Sequence, residues 1–181
     1  MKSPTRSLLA VLVAASLSGG ADAASLENTL YMELKGGRVV IEMRPDLAPK
    51  HVAQIKRLTR KGFYDGLVFH RVIDGFMVQG GDPKGNGTGG SGNNIPAEFS
   101  DEQHVRGTLS MARSRNPDSA DSQFFIMLGR APNLDGAYSI WGKVVSGMNF
   151  VDSIKKGDSR RNGSVSDPDK IVSMSVAADV K

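Results

Sequence analysis

Short runs that alternate apolar and polar residues recur along the chain, and most of them have the two-residue period of a β-strand. Glycine, asparagine or proline separates these runs at short intervals. The first two runs flank Gly36-Gly37, which is typical of a β-hairpin. Altogether the pattern predicts seven or eight short strands, in the ranges 29–34, 39–43, 67–73, 76–79, 108–112, 123–128, 139–145 and 171–176.

Two segments repeat their apolar residues at the spacing of a helix instead. The first begins at Pro49, because a missing N–H costs nothing in the first helical turn, and ends at Gly62. The second is short, begins near Met148 and ends at Gly157. Short strands and frequent turns dominate, so we expect an all-β fold, a closed antiparallel β-barrel whose open ends are capped by the two helices.

Residues 1–23 have the organisation of a secretory signal peptide. Lys2 and Arg6 precede an uncharged apolar stretch, and Ala21-Asp22-Ala23 follows it as an A-x-A cleavage pattern. The apolar stretch is shorter than the ~20 residues of a membrane-spanning helix, although an uncleaved anchor remains the alternative. We therefore expect a mature domain of residues 24–181 in the periplasm of a Gram-negative bacterium, or else in a eukaryotic secretory lumen, with no membrane span after cleavage.

Composition excludes several classes of function. The 181 residues are 39% hydrophobic, enough for one domain with a core. The absence of cysteine excludes disulfides, thiolate zinc sites, iron–sulfur clusters and cysteine nucleophiles. The net charge is only +4 and the basic residues are scattered, so we expect no nucleic-acid binding. The three histidines lack metal-ligand spacing, and no helix pattern follows the glycine-rich residues 85–90, so we expect no metal, nucleotide or other cofactor.

One block, residues 69–82, reads FHRVIDGFMVQGGD. Residues two apart in a strand share a face, so we expect Phe69, Arg71 and Ile73 on one face of a predicted strand. An arginine between such apolar neighbours is unusual. Taken alone, this arginine is explained by a side chain that reaches past its neighbours into water. The block runs into residues 80–94, which are almost all glycine and polar residues. A loop of this length inside a small domain is more often functional than idle.

The block and the motifs around it resemble the cyclophilin family, the peptidyl-prolyl cis-trans isomerases. The other motifs are FYDG at 63–66, GTLSMA at 107–112, SQFFI at 122–126, LDG at 134–136 and WGKV at 141–144. Their order and spacing match the family from about residue 29 to about residue 178. The resemblance implies an eight-stranded antiparallel barrel with two capping helices. It also implies isomerisation of X-Pro peptide bonds, proline-containing polypeptides as substrates, and no cofactor.

The resemblance also assigns roles to individual residues. Arg71 is similar to the catalytic arginine of the family. The residues similar to the walls of the family's proline pocket are Phe76, Met77, Phe125 and Leu134. The residues similar to its peptide groove are Gln79, which would hydrogen-bond the substrate backbone, Ala112, Arg113 through its backbone, Gln123 and Tyr138.

Among family members, this short chain is most similar to the bacterial exported type, so we expect a monomer that assists the folding of exported proteins. Asn133 stands where cyclosporin-sensitive members usually carry tryptophan, and we therefore expect weak cyclosporin binding. A proline-recognising chaperone or binding module remains the main alternative. Arg71 discriminates between the two, because binding alone needs no donor aimed at the imide nitrogen.

Overall fold

The computed structural model describes residue 23 and residues 25–181, so the predicted signal peptide, except for residue 23, lies outside the described residues. Eight strands form one sheet: β1 (Thr29–Leu34), β2 (Gly37–Met43), β3 (Arg71–Ile73), β4 (Met77–Gly80), β5 (Thr108–Met111), β6 (Phe124–Met127), β7 (Ile140–Ser146) and β8 (Ser173–Val176). The described residues also include the helices α1 (Pro49–Arg60) and α2 (Met148–Asp152). The prediction of an all-β fold with eight antiparallel strands and few helices is confirmed.

The sheet is an open half-barrel. Its strand order is β3-β4-β6-β5-β7-β2-β1-β8, and all neighbours are antiparallel. In the described chain no ladder joins the two outer strands, β3 and β8, so the prediction of a closed barrel is wrong. The outer edge of β3 is occupied by irregular chain instead. The Val72 N–H donates to the Gly163 carbonyl (2.8 Å), and the Gly157 N–H donates to the Val72 carbonyl (3.0 Å).

The strand predicted over residues 67–73 is mostly irregular, and only its last three residues form β3. Phe69, which precedes the strand, donates its N–H to the Asp169 carbonyl (2.9 Å) and buries its ring completely in the main core. The two-residue period predicts that Phe69 and Arg71 share a face. This prediction is wrong, because the Phe69 ring lies in the main core whereas Arg71 lines the groove.

Alternation along the central strands separates two apolar clusters. The main core takes alternate residues of the sheet and the apolar sides of both helices, and it includes Val72, Val78, Phe124, Ile126, Trp141, Val52, Ile55, Leu58 and Val151. The residues that alternate with these in β4 and β6 point to the other face. There Met77, Phe125 and Met127 form a second, smaller cluster with Ala131 and Leu134.

Helix α1 begins at Pro49, as predicted, and a distant carboxylate caps it. Glu98 accepts hydrogen bonds from the backbone N–H groups of Lys50 and His51 and lies 2.7 Å from His51 Nδ1. A carboxylate at a helix N-terminus is stabilised by the helix dipole. Burial alone would raise the pKa of Glu98, but these hydrogen bonds bring that pKa below its ordinary value.

All three histidines are buried, His51 and His104 completely and His70 to all but 8% of its surface. Removal from water disfavours the imidazolium ion and lowers the pKa of each histidine below its ordinary value of 6.5. Carboxylates near His51 and His104 offset this effect only in part. Below about pH 6.5 the native protein therefore holds fewer protons on these histidines than the unfolded chain does.

We predict that the free energy of unfolding falls as the pH drops below about 6.5, because the unfolded chain then binds more protons than the native one. Each buried histidine contributes a slope of up to about 1.4 kcal/mol per pH unit. Urea unfolding at pH 7.5, 6.5 and 5.5 measures this slope. In the matched variant His70→Gln, whose wild-type ring makes no protein hydrogen bond, the slope becomes shallower. A free energy of unfolding that stays constant over this range would contradict the prediction.

Candidate active site

A groove of about 600 Å³ lies over the second apolar cluster. It brings together nine of the ten predicted site residues: Arg71, Phe76, Met77, Gln79, Ala112, Arg113, Phe125, Leu134 and Tyr138. The tenth, Gln123, lines an adjoining cavity of about 500 Å³. The two cavities share Gln79, Ala112 and Arg113, so the predicted residues form one continuous surface.

The β3–β4 hairpin places Arg71 in this groove. Arg71 lies directly opposite Gln79 in the antiparallel register, so both side chains are on the same face of the sheet. Arg71 Nη1 donates to Gln79 Oε1 (3.1 Å), Nε to the Asn162 backbone carbonyl (3.0 Å) and Nη2 to Asn162 Oδ1 (2.9 Å). Partial burial lowers the pKa of Arg71, but a guanidinium remains charged at any physiological pH.

Asn162 was not predicted as a site residue, although it holds two of the three guanidinium nitrogens. It has a left-handed backbone, with φ of 54°, and Gly163 follows with φ of 77°. A Cβ atom on Gly163 would lie 2.5 Å from Ile73 Cγ1, so only glycine fits this close approach. The sequence shows an Asn-Gly turn here. It does not show that the turn meets a strand 91 residues earlier.

Side-chain amides connect Arg71 to the glycine-rich loop. Gln79 Nε2 donates to Gln123 Oε1 (3.0 Å), and Gln123 Nε2 donates to the carbonyl oxygens of Gly87 (3.1 Å) and Gly89 (2.8 Å). The side-chain carbonyl of Gln79 accepts a hydrogen bond from Arg71 and so orients the guanidinium. One amide hydrogen of Gln79 is donated to Gln123, and the second remains available for another acceptor.

The loop that receives these bonds is itself held by a buried carboxylate. Asp82 is 1% exposed and accepts the backbone N–H groups of Lys84, Asn86 and Gly87. Burial would raise the pKa of Asp82, but the three N–H donors lower that pKa below its ordinary value. The carboxylate therefore stays charged and fixes the loop against the groove.

The wall next to Arg71 is apolar. Met77, Phe125 and Leu134 are all at least nine-tenths buried, and the Tyr138 ring meets Phe125 edge to face with centroids 5.6 Å apart. Such a surface binds a small apolar ring by shape and desolvation. The groove thus combines an apolar pocket with a fixed cationic donor at its edge.

A buried polar network lies behind this wall. His104 stacks on Phe125 (centroids 6.2 Å), and its Nε2 and Nδ1 contact Ser110 Oγ (2.9 Å) and Asp135 Oδ1 (3.1 Å). Hydrogen bonds, above all from Arg130, lower the pKa of Asp135 to about 2. The order Ser-His-Asp is that of a hydrolase triad, but Ser110 is fully buried and lines neither cavity, so no substrate carbonyl can reach its hydroxyl. The network supports the pocket wall.

His70 is a second groove residue that the sequence did not reveal. It lines the cavity, and neither ring nitrogen has a hydrogen-bond partner in the described chain.

Among residues 25–181, no cluster of three His, Asp or Glu side chains has an arrangement that could hold a metal ion. Among the residues that the structure describes, no helix has the length and apolar character that crossing a bilayer requires.

Comparison with known proteins agrees with this geometry. Residues 29–176 match the family model described as cyclophilin type peptidyl-prolyl cis-trans isomerase/CLD. A probable peptidyl-prolyl cis-trans isomerase of Brucella suis is 55% identical over 97% of this chain and 98% of its own.

Solved structures agree as well. A cyclophilin from Hirschia baltica has a TM-score of 0.77 at 27% identity and covers 94% of this chain and 83% of its own. A Cryptosporidium parvum cyclophilin, solved in the presence of the dipeptide Ala-Pro, has a TM-score of 0.74 at 30% identity over 82% of this chain and 98% of its own. Since sequence and fold agree over nearly the whole described domain, the chain belongs to the cyclophilin-type peptidyl-prolyl cis-trans isomerases.

Proposed function

We propose that Arg71 catalyses the isomerisation of X-Pro bonds by donating a hydrogen bond to the proline nitrogen. Rotation about an amide meets a barrier of ~18–20 kcal/mol because the nitrogen lone pair is delocalised. In the twisted transition state the lone pair is localised on nitrogen and can accept a hydrogen bond. The observation that carries the proposal is the fixed guanidinium at the edge of an apolar pocket.

The partners of Arg71 suit this role. Its three acceptors are neutral, so its positive charge is oriented without being cancelled by a carboxylate. Three of its five N–H groups are used, which leaves two for substrate. A bond that forms mainly in the transition state increases the rate of the reaction and not merely the affinity for substrate.

The rate enhancement that the reaction requires is larger than one hydrogen bond can supply. Acceleration from about 0.01 s⁻¹ to about 10³ s⁻¹ corresponds to about 7 kcal/mol. One hydrogen bond from a charged donor contributes about 1.5–3 kcal/mol. The remainder comes from the preorganised field of the groove and from holding the proline ring while the acyl side turns. We assign binding of the proline ring to Phe76, Met77, Phe125 and Leu134. We assign the substrate backbone to Gln79 and the backbone of Arg113, and further contacts with the peptide to Ala112, Gln123 and Tyr138.

Arg71→Ala is expected to lower kcat/KM for an Ala-Pro peptide by about 10- to 100-fold, because the transition-state hydrogen bond is lost. Arg71→Lys keeps the charge but not the three-acceptor geometry, so its activity lies between that of Arg71→Ala and that of wild type. A protease-coupled assay measures both variants. Arg106→Ala, which removes an arginine paired with Asp152 outside the groove, serves as the control and keeps wild-type activity. Equal rates for Arg71→Ala and wild type would exclude Arg71 from catalysis and favour a binding module.

We infer weak cyclosporin binding from Asn133, which lies exposed in the turn Pro132–Leu134 beside the pocket wall. An asparagine offers neither the apolar area nor the indole donor of tryptophan. We therefore expect an inhibition constant above about 1 µM, and tighter inhibition of Asn133→Trp at unchanged turnover. Titration of isomerase activity with cyclosporin tests both expectations. Sub-micromolar inhibition of the wild type would contradict the proposal.

We further propose that the enzyme is an exported monomer that assists the folding of periplasmic proteins. The leader-like residues 1–23 and the single-chain construction of the groove support this proposal. Expression of the full chain in a Gram-negative host should give a periplasmic protein whose N-terminal residue is Ala24, as read by N-terminal sequencing. Recovery of an uncut chain in the membrane or the cytoplasm would contradict it.

A further inference from the structure

The charged residues that line the groove are all basic. They are Arg71, Arg113 and Arg161, and no Asp or Glu of residues 25–181 lines the groove with them. Arg161 is paired with Asp158 outside the groove, so part of its charge is compensated. Arg71 and Arg113 have no carboxylate partner among the described residues, which leaves two uncompensated guanidinium groups on one surface.

The adjoining cavity does not cancel this charge. It contains Lys84 and Arg113 against one carboxylate, Asp121. That carboxylate accepts hydrogen bonds from Ser91 Oγ and from the Gly92 N–H of the glycine-rich loop, and its single charge balances only one of the two cations. A peptide that occupies both cavities therefore meets a surface with excess positive charge.

Arg113 lies where the two cavities meet, and its position is fixed. Nε and Nη2 donate to the Ala137 carbonyl (3.2 and 2.8 Å), Nη1 donates to the Ser114 carbonyl (2.9 Å), and the guanidinium carbon lies 4.5 Å from the centroid of the Tyr138 ring. All its acceptors are neutral. Two of its five N–H groups have no partner in the described chain, and these can take a bidentate or single bond from an anion.

The distance to the proline pocket is short. Tyr138 contacts both the Arg113 guanidinium and Phe125, a wall of the pocket, and all three residues line the same groove. Successive residues of an extended peptide are about 3.3–3.6 Å apart along its length. A residue that flanks the proline can therefore bring its side chain to Arg113.

We propose that Arg113 binds an acidic side chain of the substrate, so that the enzyme prefers peptides with Asp or Glu at a residue flanking the proline. This inference rests on the proposed function, because it assumes that X-Pro peptides occupy the groove. It gives the Arg113 side chain a role in specificity, beyond the backbone contact that the family resemblance implies.

The test uses peptide pairs that differ only in Glu against Gln, at the residue before the proline in one pair and at the residue after it in the other. We expect the wild-type enzyme to show about fivefold higher kcat/KM for the Glu peptide in at least one pair at low ionic strength. The ratio should fall towards one in Arg113→Gln and in about 0.5 M salt, because both remove the attraction. Arg113→Lys retains the charge and should keep part of the preference.

Arg38→Gln is the matched control, because it removes an equally charged side chain that does not line either cavity. It should leave the Glu/Gln ratio unchanged. Equal turnover of Glu and Gln peptides by the wild type, or an unchanged preference in Arg113→Gln, would overturn the inference. In either case turnover of an uncharged Ala-Pro peptide would leave the proposed function intact, whereas loss of turnover for all peptides would contradict the proposed function itself.

Discussion

A half-buried positive charge that is held only by neutral acceptors is the constraint on which the rest of the site depends. The Arg71 guanidinium is oriented by one amide oxygen from β4 and two oxygens from Asn162. A carboxylate in the same place would bind the guanidinium more tightly, but it would also compete with substrate for the donors and cancel the field. The protein therefore uses amide groups for orientation, and the charge stays available for the hydrogen bond that we propose to substrate.

The open sheet makes this arrangement possible. Since β3 does not pair with β8, its outer edge is free to receive the turn that contains Asn162. On the other side of β3, strand alternation sends Val78 into the main core and Met77 and Gln79 into the groove. The buried Ser110–His104–Asp135 network then supports the pocket wall from behind. Arginine and pocket thus share β4, but the turn at Asn162 holds the arginine and the His104 network supports the pocket wall.

The local pattern of apolar and polar residues was sufficient to predict much of this structure. The two-residue period located β1 and most of β5 to β7, and Pro49 marked the start of α1. Nine of the ten predicted site residues line one groove. Strands carry four of them, Arg71, Met77, Gln79 and Phe125, in a fixed register, and the other five lie on the segments that connect the strands. The features that were predicted wrongly or missed depend on contacts between residues far apart in the sequence. The closed barrel, the face of Phe69 and the contact of Asn162 with Arg71 all depend on how the irregular chain between residues 157 and 169 meets β3 and the residues just before it, which no local periodicity encodes.

A crystal structure of the protein with a bound Ala-Pro peptide tests the central claim most directly. The catalytic proposal predicts the proline ring against Phe125 and Met77, with an Arg71 nitrogen within about 3.5 Å of the proline nitrogen or within reach of it as the bond twists. The contacts of Arg71 with Gln79 and Asn162 should persist in the complex. A proline ring bound elsewhere, or a guanidinium turned away from its nitrogen, would contradict the claim.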